Sequence, residues 1–258
     1  MTTIPFRALF LITSLSVLAA CSGSHRVEKA AEQDGYGAVV DNDITIPAVD
    51  PQYLDVPNRR EVVSYFGTEE PGTIVVDPYA KFLYFVEEGG QATRYPVAVG
   101  REGRGFKGQA TIRRKAEWPG WTPTKNMLRS EPEVYGPFAK GIPGGVASPL
   151  GARALYLYRG GRDTYYRIHG TNDVESIGNA NSAGGRRMFN QDVIDLAERT
   201  PLETQVFVRT YDESVMAEGE EMANRGVELP PKIVDPEVVY AAVEADKERR
   251  KALEAATE

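Results

Sequence analysis

His169-Gly-Thr-Asn-Asp-Val-Glu-Ser-Ile-Gly-Asn-Ala-Asn-Ser-Ala-Gly-Gly-Arg-Arg-Met188 decides how the chain is read. Its histidine stands directly behind Thr164 to Ile168, a run with strand character. Near its other end the pair Gly184-Gly185 meets Arg186-Arg187 and predicts an open, cationic pocket floor suited to carboxylates. A short helix follows over Gln191 to Arg199. Asn190 is its expected N-cap, Val193, Ile194, Leu196 and Ala197 its buried face, and Thr200-Pro201 its stop.

Working outward, β-branched and aromatic runs of 5–9 residues alternate with Gly and Pro turns. Strands are predicted at 73–77, 81–87, 91–99, 109–116, 152–158, 164–168 and 205–209, a β meander or sandwich. Trp118 and Trp121 flank a Pro-Gly pair between two of them. Before the strands, residues 46–67 are punctuated by proline and predict a helical turn at Pro51–Leu54 and a small helix at Arg59–Val63. Residues 22–45 are small and polar, as in a flexible tether. After Tyr211 the texture turns to Glu, Ala, Lys and Arg. There Asp235-Pro236 opens a helix to about Ala256, whose apolar face of Val239, Ala242 and Val243 fades toward a solvated end.

Residues 1–210 carry 24 acidic and 24 basic side chains, and residues 211–258 carry 13 and 6, so the tail holds the whole net charge of −7. A neutral body with an acidic tail argues against nucleic-acid binding, which needs a basic stripe. The acidic run Glu218 to Glu221 reads as a solvated face. Two histidines and one cysteine supply almost no metal ligands, and no cofactor is implied. Gly100, Gly103 and Gly105 make a glycine-rich turn without the spacing of a phosphate cradle.

At the N-terminus Arg7 precedes an apolar run, Ala8 to Leu18, that is too short to span a membrane comfortably and closes on Leu18-Ala19-Ala20-Cys21. This ending resembles a bacterial lipobox, and Cys21 is the only cysteine of the chain, so no disulfide can form. The resemblance implies a lipidated Cys21, an acyl anchor in the membrane and, with Ser22 after it, a periplasmic protein sorted to the outer membrane.

The stretch from His169 to Met188 resembles the signature of the L,D-transpeptidase catalytic domain, the YkuD type. That pattern runs His-Gly-Thr, a spacer with Ile-Gly, then Ser/Thr-His-Gly-Cys-x-Arg-Met. His169-Gly170-Thr171, Ile177-Gly178, Ser182, Gly184, Arg187 and Met188 fall in register, whereas position 183 is Ala and position 185 is Gly where the family has its nucleophilic Cys. Pro149-Leu150-Gly151-Ala152 and Tyr166-Arg167-Ile168 also fall in order, so the resemblance covers Thr73 to Arg209. It implies a mainly β fold, the family's β-sandwich with one short helix after the active-site loop, and a substrate class of peptidoglycan stem peptides.

In that family a thiolate attacks the stem carbonyl, a histidine takes the thiol proton, and an amine of a second stem resolves the thioester. The resemblance makes His169 the base, 16 residues before Gly185, with Ser182 a hydrogen-bonding group near the oxyanion. Gly184, Arg186 and Arg187 then form the substrate floor and Trp121 lines the groove. Gly185 cannot form an acyl-enzyme. The leading expectation is therefore an inactive, lipid-anchored, peptidoglycan-binding relative. An active transpeptidase, with Gly185 a local variant, and an interaction lipoprotein whose acidic C-terminal helix docks a protein partner are the alternatives. The expected division is a signal peptide at 1–20, lipidated Cys21 and tether at 21–45, an extension at 46–72, the catalytic-type domain at 73–210 and the helical tail at 211–258.

Overall fold

The computed structural model of the chain describes residues 35–100, 106–181, 185–230 and 232–257. Cys21, most of the tether, Gly103, Gly105, Ser182 and Gly184 lie outside them, so what the sequence predicts there is not addressed by the fold. Among the described residues no helix is long and apolar enough to cross a membrane.

Among the described residues thirteen strands carry the fold: β1 (Val39–Asp41), β2 (Ile44–Ile46), β3 (Glu61–Ser64), β4 (Ile74–Asp77), β5 (Phe82–Glu87), β6 (Gln91–Pro96), β7 (Ala98–Gly100), β8 (Gly108–Glu117), β9 (Arg153–Arg159), β10 (Arg162–His169), β11 (Ala180–Asn181), β12 (Arg186–Arg187) and β13 (Gln205–Val208). The helices are α1 (Lys125–Ser130), α2 (Pro132–Tyr135), α3 (Asn190–Arg199), α4 (Tyr211–Glu218), α5 (Glu220–Ala223) and α6 (Pro236–Thr257). Apart from the β1–β2 hairpin, the described strands form one mixed sheet in the order β11-β7-β12-β10-β9-β8-β13-β4-β5-β6-β3.

The mainly β expectation holds. The strands form one ladder that curls, so that Val76, Leu83, Val99, Ile112, Leu157 and Ile168, drawn from most of its length, share one buried cluster with Val193 and Leu196 of α3. Burying apolar side chains from both ends of the ladder is what holds the curl, at about 1.5–3 kcal/mol per large side chain removed from water. The run predicted as a single strand over 91–99 breaks at Pro96, which has no N–H to donate. Val97 still donates its N–H to the Lys81 carbonyl at 3.0 Å, and beyond it β7 departs to the far end of the sheet, beside the edge strand β11.

Two expectations outside the central sheet are corrected. Arg59–Val63 is not a small helix. Glu61–Ser64 pairs antiparallel with β6, Val62 opposite Thr93, because a β-branched pair beside a free sheet edge gains a ladder that an isolated turn lacks. The last part of the expected tether is also ordered. Asp41 of the hairpin makes a two-pronged ion pair with Arg153 at 2.6 and 2.7 Å and accepts from the Trp118 indole at 2.8 Å. The predicted turn after Asp50 is present as a 3-10 turn at Pro51–Tyr53, with the Asp50 side chain accepting from Gln52 N–H.

Tyr36 fastens this N-terminal strap. Its ring is fully buried beside Phe189, edge to face at 5.5 Å. Its hydroxyl donates to Asp192 Oδ2 at 3.1 Å and accepts from Arg60 N–H at 2.6 Å. Tyr36→Phe keeps the packing but leaves both partners short of a bond. The expected cost is on the order of 1–3 kcal/mol in urea unfolding, and an unchanged midpoint would show that the strap contributes nothing to stability.

Candidate functional site

The site is assembled by a parallel pairing. β10 and β12 run side by side with Ile168 opposite Arg186 and His169 opposite Arg187, and Met188 N–H closes the ladder on the His169 carbonyl at 2.8 Å. Parallel strands need a crossover, so the chain leaves at the end of β10 and comes back to the start of β12, which sets Gly185 beside His169. Strand alternation sends consecutive side chains to opposite faces. Arg187 turns toward a cavity and Arg186 turns into the interior.

His169 is nearly buried, and its Nδ1 lies 2.6 Å from the Gly170 carbonyl. A carbonyl only accepts, so Nδ1 carries the hydrogen and Nε2 keeps its lone pair. Burial, helped by the positive charge of Arg187, pushes the ring pKa down to about 3. The imidazole is neutral across the physiological range, the state a proton acceptor needs. What Nε2 faces is Gly185. A Cβ built on Gly185 would lie 2.6 Å from Nε2, and the backbone there has φ +122°, which L side chains rarely adopt. The Gly185 carbonyl is itself engaged, accepting from Gly100 N–H at 3.2 Å. The His169 imidazole thus occupies the space in which a side chain at 185 would stand.

Asn190 does not cap α3. Phe189 holds the cap position with no side-chain bond, and Asn190 opens the first turn. Its amide instead ties two loops together: Oδ1 accepts from Ala152 N–H at 2.9 Å and Nδ2 donates to the Thr171 carbonyl at 3.1 Å. The close approach requires glycines on both sides, since a Cβ on Gly151 or Gly170 would come within 2.3 or 2.2 Å of Oδ1. The residues around Gly151 and Gly170, read separately in the sequence, are two halves of one latch that seats the strand end carrying His169.

The cavity in front of His169 has a volume of about 260 Å³, and Trp121, His169 and Arg187 all line it. Arg187 Nη1 pairs with Asp173 Oδ2 at 2.9 Å, and Lys232 Nζ lies 3.2 Å from Asp173 Oδ1 and 2.5 Å from Glu175 Oε1. Burial lowers the Arg187 pKa against the opposing pull of Asp173, whereas the hydrogen bond to Glu175 raises that of Lys232.

Arg186, expected on the same floor, is fully buried and stacks over Tyr166 at 5.1 Å and Phe106 at 5.7 Å. Its burial pushes the guanidinium pKa down to about 10. Asp192, six residues on from Arg186, accepts from Tyr36 and pairs with Arg60. Ser182 and Gly184 are outside the described residues. Sequence reading missed Asp173, although it sits inside the quoted stretch, and missed Lys232, for which no local signal exists. It also missed α1, α2 and the turn at Gly136–Phe138, which put Met127, Val134 and Phe138 on the cavity wall. Among the described residues no group of three His, Cys, Asp or Glu is placed to hold a metal ion.

Residues 71–208 match the family of the L,D-transpeptidase catalytic domain, YkuD. A putative L,D-transpeptidase from the ATP synthase subunits region of Fuscovulum blasticum is 29% identical over 193 residues, 74% of this chain and 92% of that protein. The probable L,D-transpeptidase ErfK/SrfK of Escherichia coli is 30% identical over 158 residues, 60% of this chain and 46% of its own. The chain spans about half the length of the Escherichia coli relatives it matches. Among solved structures, a Brucella melitensis protein described as a probable carnitine operon oxidoreductase shares 49% identity, with a TM-score of 0.42 over 59% of this chain and 95% of that one.

Two outcomes are expected from the geometry around His169. Between pH 6.5 and about 3 the unfolded chain binds a proton on this histidine that the native ring refuses, so this residue's contribution to stability is lost as pH falls through that window. His169→Gln should flatten that part of the stability-against-pH curve, measured by urea unfolding, and an identical slope would contradict a buried neutral ring. Gly185→Ala places a methyl against Nε2 in a disfavoured backbone region. It should cost on the order of 1–3 kcal/mol, and a neutral effect would mean that the loop yields freely.

Proposed function

This chain belongs to the L,D-transpeptidase catalytic-domain family, and from that premise we propose that it is a cell-envelope protein that holds peptidoglycan stem peptides without crosslinking them. The observation that carries this reading is the pair His169 and Gly185. A neutral imidazole directs its lone pair at a position with no side chain, and the one cysteine of the chain is Cys21, in the segment read as a signal and tether. Acyl transfer by this family's route needs a thiolate to become the acyl carrier. In a serine protease, removing the nucleophile alone costs about a millionfold in turnover. Binding does not depend on the same atom. The cavity, the Arg187–Asp173 pair at 2.9 Å and the Trp121 wall stand without it.

Lipid anchoring through Cys21 belongs to the same proposal and is supported by the Leu18-Ala19-Ala20-Cys21 ending. It would keep the cavity within a tether's reach of the wall polymer. The interaction-lipoprotein alternative loses ground because Val239 and Val243 of α6 are packed on the protein's own Phe138 and Ile142.

The purified chain should sediment with isolated sacculi, and Arg187→Ala should weaken that binding severalfold, as should high salt, since charge contacts are screened. No crosslinked stem dimer should accumulate in the same mixture. Crosslinking by a preparation whose mass confirms glycine at 185 would overturn the proposal. In cells, Cys21→Ser should move the protein from the membrane fraction to the soluble periplasm, and a wild-type protein already soluble and lipid-free would refute the anchor.

A further inference from the structure

Beside the cavity the sheet carries a row of stacked side chains. Arg167 of β10 lies opposite Tyr156 of β9, and Tyr156 lies opposite Arg114 of β8. Two residues further along β10, about 7 Å away, His169 lies opposite Ala154. Side chains two apart share a face, so this row continues the face that carries His169 and Arg187. Both flanking strands are irregular here. The register of β8 shifts between Ile112 and Arg114. In β10, Thr164, Tyr165 and Tyr166 together stand against Leu157 alone. Bulges of this kind re-aim side chains beside functional sites. Tyr166 packs inward on Phe106, whereas Tyr165 is 78% exposed with φ +63°.

A bulky residue rarely holds that left-handed backbone, and strain of this sort gathers at ligand clamps. Asp163 maintains it. Its Oδ1 accepts from Tyr165 N–H at 2.8 Å, and its two oxygens accept from Arg167 at 2.7 and 2.8 Å. Arg114 Cζ lies 4.3 Å from the Tyr156 ring centre, and Arg167 Cζ lies 4.4 Å from the same ring and 6.0 Å from that of Tyr165. Stacking fixes these long side chains and leaves guanidinium N–H groups to donate. Charge on the face is nearly balanced. Arg167 is paired with Asp163 and Arg113 with Glu203 at 3.5 Å, while exposed Arg114 has no ion-pair partner among the described residues. A polyanion would gain little from one free cation beside two carboxylates. A sugar ring is better matched: its C–H face suits a tyrosine ring, and its neutral hydroxyl and amide groups suit Arg114, Tyr158 and exposed Gln205, the last two on the adjoining row.

We propose that this face of β8, β9 and β10 binds the glycan strand of peptidoglycan, with a sugar ring stacked on Tyr165 and the polar groups of the strand hydrogen-bonded to Arg114 and Tyr158. The inference rests on the reading of the cavity as a stem-peptide site and extends it outward. A stem is covalently attached to its strand, so an occupied cavity brings the strand to the adjoining face.

The test is isothermal titration calorimetry of the purified full chain with chitohexaose, a neutral β-1,4-linked N-acetylglucosamine strand without stems. It should bind saturably and with little dependence on salt, unlike the charge contacts of Arg187. Tyr165→Gly should weaken that binding about tenfold, as loss of a stacked ring gives. Its thermal midpoint should hold or rise, because glycine adopts the left-handed backbone freely. Arg114→Gln should weaken chitohexaose binding severalfold, and Arg187→Ala should leave it unchanged. Absence of saturation would overturn the proposal. So would Tyr165→Gly binding as tightly as the wild type, or heparin binding through Arg114 with chitohexaose inert, which would make the face a polyanion site. Sacculus sedimentation with the same preparations separates the two readings. Sacculus binding that needs Arg187, with no chitohexaose bound, removes this inference alone. Chitohexaose binding, with sacculus binding indifferent to Arg187, removes stem holding alone.

Discussion

The parallel ladder between β10 and β12 is the constraint on which the site depends. It consists of a few backbone hydrogen bonds, with Met188 N–H on the His169 carbonyl at its end, yet it fixes the register of every side chain in the region. A slip of one residue would exchange Arg186 and Arg187 between core and cavity. The same register presses the Gly185 backbone toward Nε2 of His169. The Asn190 latch then holds the adjoining turns at Gly151 and Gly170, where only glycine admits its amide so closely.

Electrostatics follow from this placement. His169 stays neutral because it is buried beside cationic Arg187, and its tautomer is set by the Gly170 carbonyl. Arg187 keeps its charge at the cavity with Asp173 as counter-ion. Arg186 is placed among Tyr166 and Phe106, where its planar guanidinium can stack on aromatic faces. Two adjacent arginines of one short strand therefore have different fates, one structural and one facing the cavity.

The ends of the described chain converge on the same region. Asp41 pairs with Arg153 just behind the Ala152 turn, and Asp43 accepts from Arg249 of α6 at 3.3 Å. The hairpin that leads toward the expected membrane tether thus touches the helix that walls the cavity. Neither segment is the loose appendage that its polar composition resembles. Each buries an apolar minority, Tyr36 and Leu54 on one side and Val239 and Val243 on the other.

What the sequence by itself determined is β4, β5, β6, β8, β9, β10 and β13 of the central sheet, α3, the start of α6 at Asp235-Pro236 and the spacing of His169 and Gly185. Those features are local: strand runs are bounded by Gly and Pro, a helix is opened by its cap, and the family signature keeps a fixed spacing. Tertiary structure alone decided the rest, because it depends on partners remote in sequence. Glu61–Ser64 became a strand only because β6 offered an edge. Asn190 became a latch only because two glycine turns arrived beside it. The split of Arg186 from Arg187 needed the strand register, and the cavity wall of Lys232, Val234 and Val239 needed the tail to fold back over Phe138 and Ile142. A residue's spacing in the chain limits the conformations open to its own segment, whereas burial and ion pairing are properties of whatever packs against it.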